Sequence, residues 1–208
     1  ITLSHPVALA TLGIEFNANT ILSGPDADVI PVATMTGTTI NREIAIVQNT
    51  GTSAYYCTLA SAVTEAVSGE TLKVLRDFSV SSTTGINKKI TLNTNGKTIN
   101  NTSDWHSMFM VSGAADLTIT GGGVLDSPSA TTIALMNFYS TGQPKVTLQD
   151  ATISGLRSVT IQGNTNVGGT DPYPSLFTGA GGSTTDGIYL RGKGAELVVS
   201  GGLVTCSG

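Results

Sequence analysis

The stretch Asp116-Leu117-Thr118-Ile119-Thr120 decides the fold, because its pattern occurs four times along the chain. Each copy begins with a charged residue and then alternates apolar with polar residues, which is the period of a half-buried β-strand. The second and fourth residues of each copy are therefore predicted to face a core, and the first, third and fifth to face outward. The other copies are Lys89-Ile90-Thr91-Leu92-Asn93, Lys145-Val146-Thr147-Leu148-Gln149 and Glu196-Leu197-Val198-Val199-Ser200.

The spacing of the copies predicts parallel strands. They start at residues 89, 116, 145 and 196, so successive starts are 27, 29 and 51 residues apart. Such gaps are too long for hairpins, and the residues between the copies are rich in Gly, Ser, Thr and Asn without a long helical stripe. Each turn also holds two further short apolar segments. We therefore predict an all-β chain that winds as a parallel β-helix, a solenoid with three strands per turn. Its interior file contains Ile90, Leu117, Val146 and Leu197.

The first residues of the four copies alternate in charge along the predicted stack. If successive copies are neighbours at about 4.8 Å, each charge lies beside an opposite one. Exposed pairs of this kind contribute only about 0.2–1 kcal/mol each, so they fix the register of the strands more than they add stability. The residues are Lys89, Asp116, Lys145 and Glu196.

One short amphipathic helix is predicted ahead of the first turn. Thr58 is a suitable N-cap, and Ser68-Gly69 is expected to end the helix. Such a helix would cover the apolar side chains and unpaired backbone groups at the open end of a solenoid. Its apolar face is predicted to comprise Leu59, Ala62, Val63, Ala66 and Val67.

The chain divides into residues 1–48, which do not match the repeat, and a predicted β-helix over residues 49–208. The first segment is a remnant of a preceding β domain, a cover for the solenoid's first edge, or a strand that adds to a neighbouring molecule. Residues 157–187 break the repeat. We expect Val159–Ile161 to be an extra strand within its turn, and residues 164–186 to be a loop that is either a tolerated insertion or functional.

The sequence around the predicted cap resembles a known family. Tyr56 to Val63, Ser68 to Leu75 and Ile86 to Ile99 look like the amino-terminal cap and first turns of pectate-lyase-like right-handed β-helix domains, especially those repeated in large secreted bacterial surface proteins. The resemblance covers residues 55–208. It implies right-handed winding and an extracellular or cell-surface location. It leaves the function open, because the superfamily includes enzymes, adhesins and fibre proteins.

Composition excludes several classes of protein. Only 12% of the residues are charged and the formal net charge is −4, with no basic patch, which argues against a nucleic-acid partner. No apolar run approaches the length of about 18–20 residues that a membrane-spanning helix needs, so no membrane insertion is expected.

Catalytic and metal-binding patterns are weak. Enzymes of the resembled superfamily act on acidic polysaccharides with clustered acidic residues and a basic residue, or with paired carboxylates. Asp116 and Glu196 share an outward position, but Lys145 lies between them in the predicted stack. Asp126 follows a glycine-rich stretch and is interpreted as a turn residue rather than a catalytic acid. No catalytic residue, cofactor or metal site is predicted.

Binding to a glycan or to a flat surface is a further possibility. The candidates for sugar contact are Trp105, Tyr173 and Tyr189, since an aromatic face suits the C–H side of a sugar ring. The outward threonines of the first three copies could meet ice, a glycan or another protein. Val198 interrupts this column, which argues against ice, and threonine is common in strands for ordinary reasons.

The two cysteines, Cys57 in the cap and Cys206 in the last strand, are predicted to lie at opposite ends. About four strand spacings of about 4.8 Å would separate them, whereas a disulfide needs Cα atoms within about 7 Å. Two buried thiols remain one interpretation. The other is an intermolecular disulfide between the tail of one molecule and the head of the next in a filament.

The sequence therefore predicts a non-catalytic extracellular structural or adhesive β-helix domain of a surface or fibre protein. Its expected partners are copies of itself, in a filament or array, and a surface polysaccharide. The alternative is a polysaccharide lyase or glycoside hydrolase acting on acidic glycans, with active residues in the 164–187 segment or beyond Gly208.

Overall fold

The computed structural model describes residues 31–36, 39–136, 143–162, 175–184, 188–191 and 195–204. This part of the chain is mostly β, with one short helix. The elements are β1 (Pro31–Thr36), β2 (Thr39–Ile44), β3 (Val47–Asn49), β4 (Tyr55–Tyr56), α1 (Leu59–Glu65), β5 (Glu70–Val74), β6 (Phe78–Val80), β7 (Thr84–Ile86), β8 (Lys89–Asn93), β9 (Thr98–Asn101), β10 (Phe109–Ser112), β11 (Asp116–Thr120), β12 (Val124–Met136), β13 (Lys145–Leu148), β14 (Thr152–Gln162), β15 (Ser175–Thr184), β16 (Ile188–Arg191) and β17 (Ala195–Val204).

The strands from β5 onward pair in parallel and form three runs. The first run is β5-β8-β11-β13-β15-β17, the second is β6-β9-β12-β14-β15-β17, and the third is β7-β10-β12-β14-β16. The long strands β12, β14, β15 and β17 each contribute to two runs. The prediction of a mostly β chain with parallel strands and one short helix is confirmed.

The core consists of the apolar residues that alternate along these strands. In the first run, Ile90, Leu117 and Val146 are neighbours in register and are at most 1% exposed. Leu197 is partly buried and packs against the same core. The second and third runs contribute further buried files, namely Ile99, Leu125 and Ile153, and Phe109, Ile133 and Val159. The alternation therefore predicted correctly which side of each of these strands faces inward.

Strand β15 corrects the prediction for the end of the chain. We expected residues 164–186 to form a loop and the copy at Glu196 to be the direct neighbour of the copy at Lys145. Instead β15 lies between them, with Phe177 in register with Val146 on one side and with Leu197 on the other. The gap of 51 residues thus splits into 31 and 20, from 145 to 176 and from 176 to 196. Leu176 stands where the other copies have a charge, which is why the pattern missed this strand.

Residues Val159–Ile161 are a regular member of the third run. They pair with Ile133–Leu135 on one side and with Ile188–Leu190 on the other. The prediction of a strand at this position is confirmed. It is not an addition to the repeat, because it supplies the third-run strand of its own turn.

Helix α1 forms where the sequence predicts it. The Thr58 hydroxyl accepts a hydrogen bond from the Ser61 amide at 3.1 Å, so Thr58 is the N-cap. At the other end, the Lys88 ammonium donates to the carbonyls of Thr64 and Ala66 at 3.0 and 2.9 Å, where a positive charge also suits the helix dipole. Val67 was assigned to the apolar face wrongly: the helix ends at Glu65 and Val67 is 66% exposed.

The beginning of the first run is covered. Strand β3 pairs antiparallel with β5, and β4 pairs with β3. Helix α1 packs against β3, β4 and β7. Strands β1 and β2 form a separate antiparallel pair. Residues 1–30 lie outside the described residues, so the three interpretations of that segment stay predictions.

A glycine corner joins the first run to the second after β11. A Cβ added to Gly123 would lie 2.7 Å from the Thr94 Cβ and 2.8 Å from the Thr94 Oγ1, and would also meet the Lys97 carbonyl oxygen. Thr94 is fully buried in the preceding corner. Gly123 therefore packs directly on the Thr94 side chain and the Lys97 carbonyl of the preceding corner, and this close approach requires a residue without a side chain.

Candidate functional site

The outward side of the first run carries five threonines in consecutive strands. We call these the threonine ladder: Thr71, Thr91, Thr118, Thr147 and Thr178. All five are half-buried, and neighbouring strands repeat at about 4.8 Å. The sequence showed only the middle three, because the position that carries the charge in their strands is Gly69 just before β5 and Leu176 in β15. Val198, which is 39% exposed, follows Thr178 and ends the ladder rather than interrupting it.

A column of alternating charge flanks the threonine ladder. Lys89 and Lys145 are exposed and lie in register on either side of the half-buried Asp116; these three residues are the charge column. The predicted alternation is confirmed for them. It is wrong for Glu196, because Leu176 lies between Lys145 and Glu196.

A polar column flanks the other side of the ladder. Lys73, Asn93 and Thr120 are neighbours in register there, and all three are half-buried. The charge column, this polar column and the four ladder threonines between them make a polar surface on β5, β8, β11 and β13, which we call the ladder face. Small uncharged side chains occupy its centre and charged ones its margin.

Asp126 and Asp150 hold strands and corners together. Asp126 lies inside β12, between Asn100 and Ser154 in the register, and accepts a hydrogen bond from the Ser154 hydroxyl. Its interpretation as a turn residue is therefore wrong. The Asp150 carboxylate accepts hydrogen bonds from the Thr120 hydroxyl and the Gly121 amide. These bonds, the Thr120 bond foremost, keep the pKa of Asp150 below its usual value.

Glu70 and Asp77 have comparable structural roles. The Glu70 carboxylate accepts hydrogen bonds from the Asn49 side chain at 2.7 Å and from the Val67 amide at 2.6 Å. The Asn49 bond, followed by the Val67 bond, lowers the pKa of Glu70. Asp77 accepts a hydrogen bond from the Thr98 amide at 2.7 Å. Glu70 and Asp77 therefore accept hydrogen bonds from the protein's own amides and side chains.

Trp105 lies in a braced loop between β9 and β10. The buried Asn101 side chain accepts from the Ser103 amide at 3.0 Å and donates to the His106 carbonyl at 2.7 Å. The Ser103 hydroxyl in turn accepts from the amides of Trp105 and His106 at 3.3 and 3.0 Å. The Trp105 side chain is nevertheless 90% exposed. Its backbone is thus held in place while its ring faces solvent.

Of the other predicted site residues, Tyr189 and Cys57 lie within the described ranges. Tyr189 lies in β16, paired with Thr160, on the third run. Tyr173 lies outside the described residues. Cys57 is half-buried just before the N-cap of α1, and Cys206 is also outside the described residues. The predicted disulfide between molecules therefore stays a prediction.

The described ranges contain neither a cluster of metal-ligating residues nor a long apolar helix. No group of three or more His, Cys, Asp and Glu residues in those ranges is arranged to hold a metal ion. No helix there has the length and apolar character needed to cross a membrane.

Comparisons with known proteins identify no family. No family model matches the chain, and neither curated proteins nor solved structures give a match.

Proposed function

We propose that the chain is a right-handed parallel β-helix of the pectate-lyase-like kind, with three strands per turn. The strand order supports this proposal: from β5 onward, successive segments of the chain add strands to the first, second and third runs in turn. The handedness rests on the resemblance and on the strong preference of parallel crossovers for right-handed connections.

Its proposed function is that of a non-catalytic structural and adhesive domain of an extracellular surface or fibre protein. The observation that carries this proposal is the ladder face. Five consecutive strands present the same small polar residue outward, a repetition that suits contact with another regular surface. Four carboxylates support the proposal that the domain is non-catalytic, because each accepts hydrogen bonds from the chain's own groups. They are Asp126, Asp150, Glu70 and Asp77.

A surface glycan is the second proposed partner, and Trp105 is its contact. The indole is 90% exposed and therefore accessible to a sugar ring, and because hydrogen bonds already hold the loop backbone, stacking does not have to order the loop. The corresponding connections on either side are shorter, with residues 81–83 between β6 and β7 and residues 128–130 within β12, against residues 102–108 between β9 and β10. This extra length leaves room for the loop to present Trp105 to a ligand.

The test combines turnover with binding. The protein is incubated with polygalacturonate and other acidic polysaccharides, with and without calcium, and new chain ends are measured against a heat-denatured sample. We expect no release of new ends. Release above the control would show a lyase or hydrolase and would refute the non-catalytic proposal.

Binding is measured in parallel on an array of surface glycans. We expect Trp105→Ala to abolish any glycan signal and Met110→Ala to keep it. Met110 is the matched control, since it is also an exposed large apolar residue, at 39%, and lies in the next strand. Equal binding by the wild type and Trp105→Ala would show that Trp105 is not the glycan contact.

The disulfide between Cys57 and Cys206 of successive molecules is tested by gel electrophoresis of native material without reductant. We expect a species of double mass. It should disappear when reductant is added, and it should be absent from the Cys57→Ser variant. Monomer alone would eliminate the covalent filament.

A further inference from the structure

We propose that two copies of this chain associate laterally through the ladder face, packed sheet against sheet about a twofold axis. This inference rests on the proposed function as a self-associating structural domain. Lateral contact is favoured over strand addition at the start of the first run, because β3 already occupies the edge of β5 there.

The charge column makes the ladder face complementary to itself. A twofold axis parallel to the strands keeps each column opposite its own counterpart and reverses the order of the strands. With the axis between β8 and β11, Lys89 faces the partner's Asp116, and Asp116 faces the partner's Lys89. An axis along β11 instead sets Asp116 against itself and Lys89 against Lys145, which are contacts between like charges. Alternation of charge therefore selects the register of the two copies.

The remaining positions fit the same axis. Lys145 then faces Gly69, which carries no side chain. Gly69 lies beside Lys89, and its amide donates a hydrogen bond to the Lys89 carbonyl at 2.7 Å. An axis between β11 and β13 would set Lys89 against Leu176 and leave that charge facing an apolar residue. The axis between β8 and β11 is thus the favoured one.

The threonine ladder supplies the centre of the contact. About this axis Thr91 faces the partner's Thr118, and Thr71 faces the partner's Thr147. Sheets pack at about 10 Å, and threonine is small enough that the gap between two facing hydroxyls admits a bridging water. In the polar column, Asn93 faces the partner's Thr120, which pairs an amide with a hydroxyl.

The size of the face predicts a weak, reversible dimer. Five residues along the four strands of the ladder face span about 17 Å by about 19 Å, or about 320 Å² per partner, below the roughly 800 Å² of a standard stable interface. Association in solution is then expected only at high protein concentration. Many copies held on one surface would gain strength by avidity.

The test exchanges charges and measures mass by sedimentation over a concentration series at low salt. Wild-type protein is expected to rise from 21.2 kDa toward twice that mass. Asp116→Lys makes the charge column wholly positive and should weaken the dimer at least about tenfold. The triple variant Lys89→Asp, Asp116→Lys, Lys145→Asp reverses every sign but keeps the alternation, so it should regain the wild-type mass.

Asp104→Lys is the matched control, because it makes the same change of charge at an exposed residue away from the ladder face. It should dimerise like the wild type, and all variants should show the wild-type circular dichroism spectrum. A wild type that stays monomeric throughout, or an Asp116→Lys variant that dimerises equally well, overturns the inference. These outcomes are independent of polysaccharide turnover, so a monomer without turnover refutes the dimer alone, and a dimer with turnover refutes the proposed function alone.

Discussion

Replacing Gly123 with alanine tests the close contact between successive corners. The added Cβ would lie 2.7 and 2.8 Å from atoms of Thr94, nearer than unstrained contacts allow. Thr94 cannot turn away freely, since its hydroxyl donates to the Thr120 carbonyl at 2.8 Å and accepts from the Gly123 amide at 2.8 Å. We therefore expect Gly123→Ala to strain the corner or to break these bonds.

The size of the effect follows from two opposing contributions. Forcing an extra methyl into a packed site costs about 1–3 kcal/mol. Loss of chain freedom in the unfolded state offsets about 0.4–1 kcal/mol of this. The net expectation is a loss of about 0–2.6 kcal/mol in the free energy of unfolding, toward the upper end because the Lys97 carbonyl oxygen also meets the added Cβ.

Gly85→Ala is the matched control. Gly85 lies in β7, its φ is not in the left-handed region, and a Cβ there meets nothing within 4 Å. Only the loss of chain freedom in the unfolded state remains, so the free energy of unfolding of this variant should rise by about 0.4–1 kcal/mol.

The assay is urea unfolding followed by circular dichroism. With a slope of about 2 kcal/mol/M, the midpoints of the two variants should lie about 1 M apart, with wild type between them. Equal midpoints, or a Gly123→Ala variant at least as stable as wild type, would show that the corners are not in tight contact.

Three further predictions use the same assay. Leu117→Ala, at a fully buried residue, should lower the free energy of unfolding by about 2–5 kcal/mol. Val198→Ala, at the partly exposed end of the ladder, is the control and should change it by less than about 0.5 kcal/mol. Similar losses in the two variants would mean that the first run does not line the core. Thr58→Ala removes the N-cap bond to Ser61 and should cost about 1 kcal/mol, and an unchanged midpoint would contradict the assigned cap. Because the pKa of Asp150 is lower in the folded state than its ordinary 3.8, its stabilising contribution is complete above that value and is lost as pH falls through the lower folded pKa. Asp150→Asn should therefore lose stability at neutral pH and show a flatter decline in acid, and a decline parallel to the wild type would refute the role of this carboxylate.

Side-chain alternation carried most of what the sequence predicted correctly. Residues such as Leu92 and Ile119 are buried because a strand sends alternate side chains to opposite faces, whatever its neighbours are. The alternating charges of Lys89, Asp116 and Lys145 also predicted the register in which β8, β11 and β13 pair. Thr58 was predictable for a similar local reason, since an N-cap depends on the amide three residues away.

The predictions failed where a local pattern was imperfect. In β15, Leu176 replaces the charge and Gly179 replaces the second inward apolar residue, so the strand did not match its copies. The repeated apolar-threonine pair, Phe177-Thr178, was the signal that could have found it. Asp126 lies three residues after Gly123, the last of three glycines, so it was interpreted as a turn residue. Its partner strands β9 and β14 hold it in a strand instead.

The sequence by itself determined which side chains of each strand turn inward, because that choice depends on a period of two residues. Only the tertiary structure decided which strands are neighbours, and hence that five threonines, rather than three, lie in one row. Strand pairing is made by backbone amides and carbonyls between segments 20 to 31 residues apart. Those groups are the same in every residue except proline, so the partner of a strand is set by how the whole chain packs.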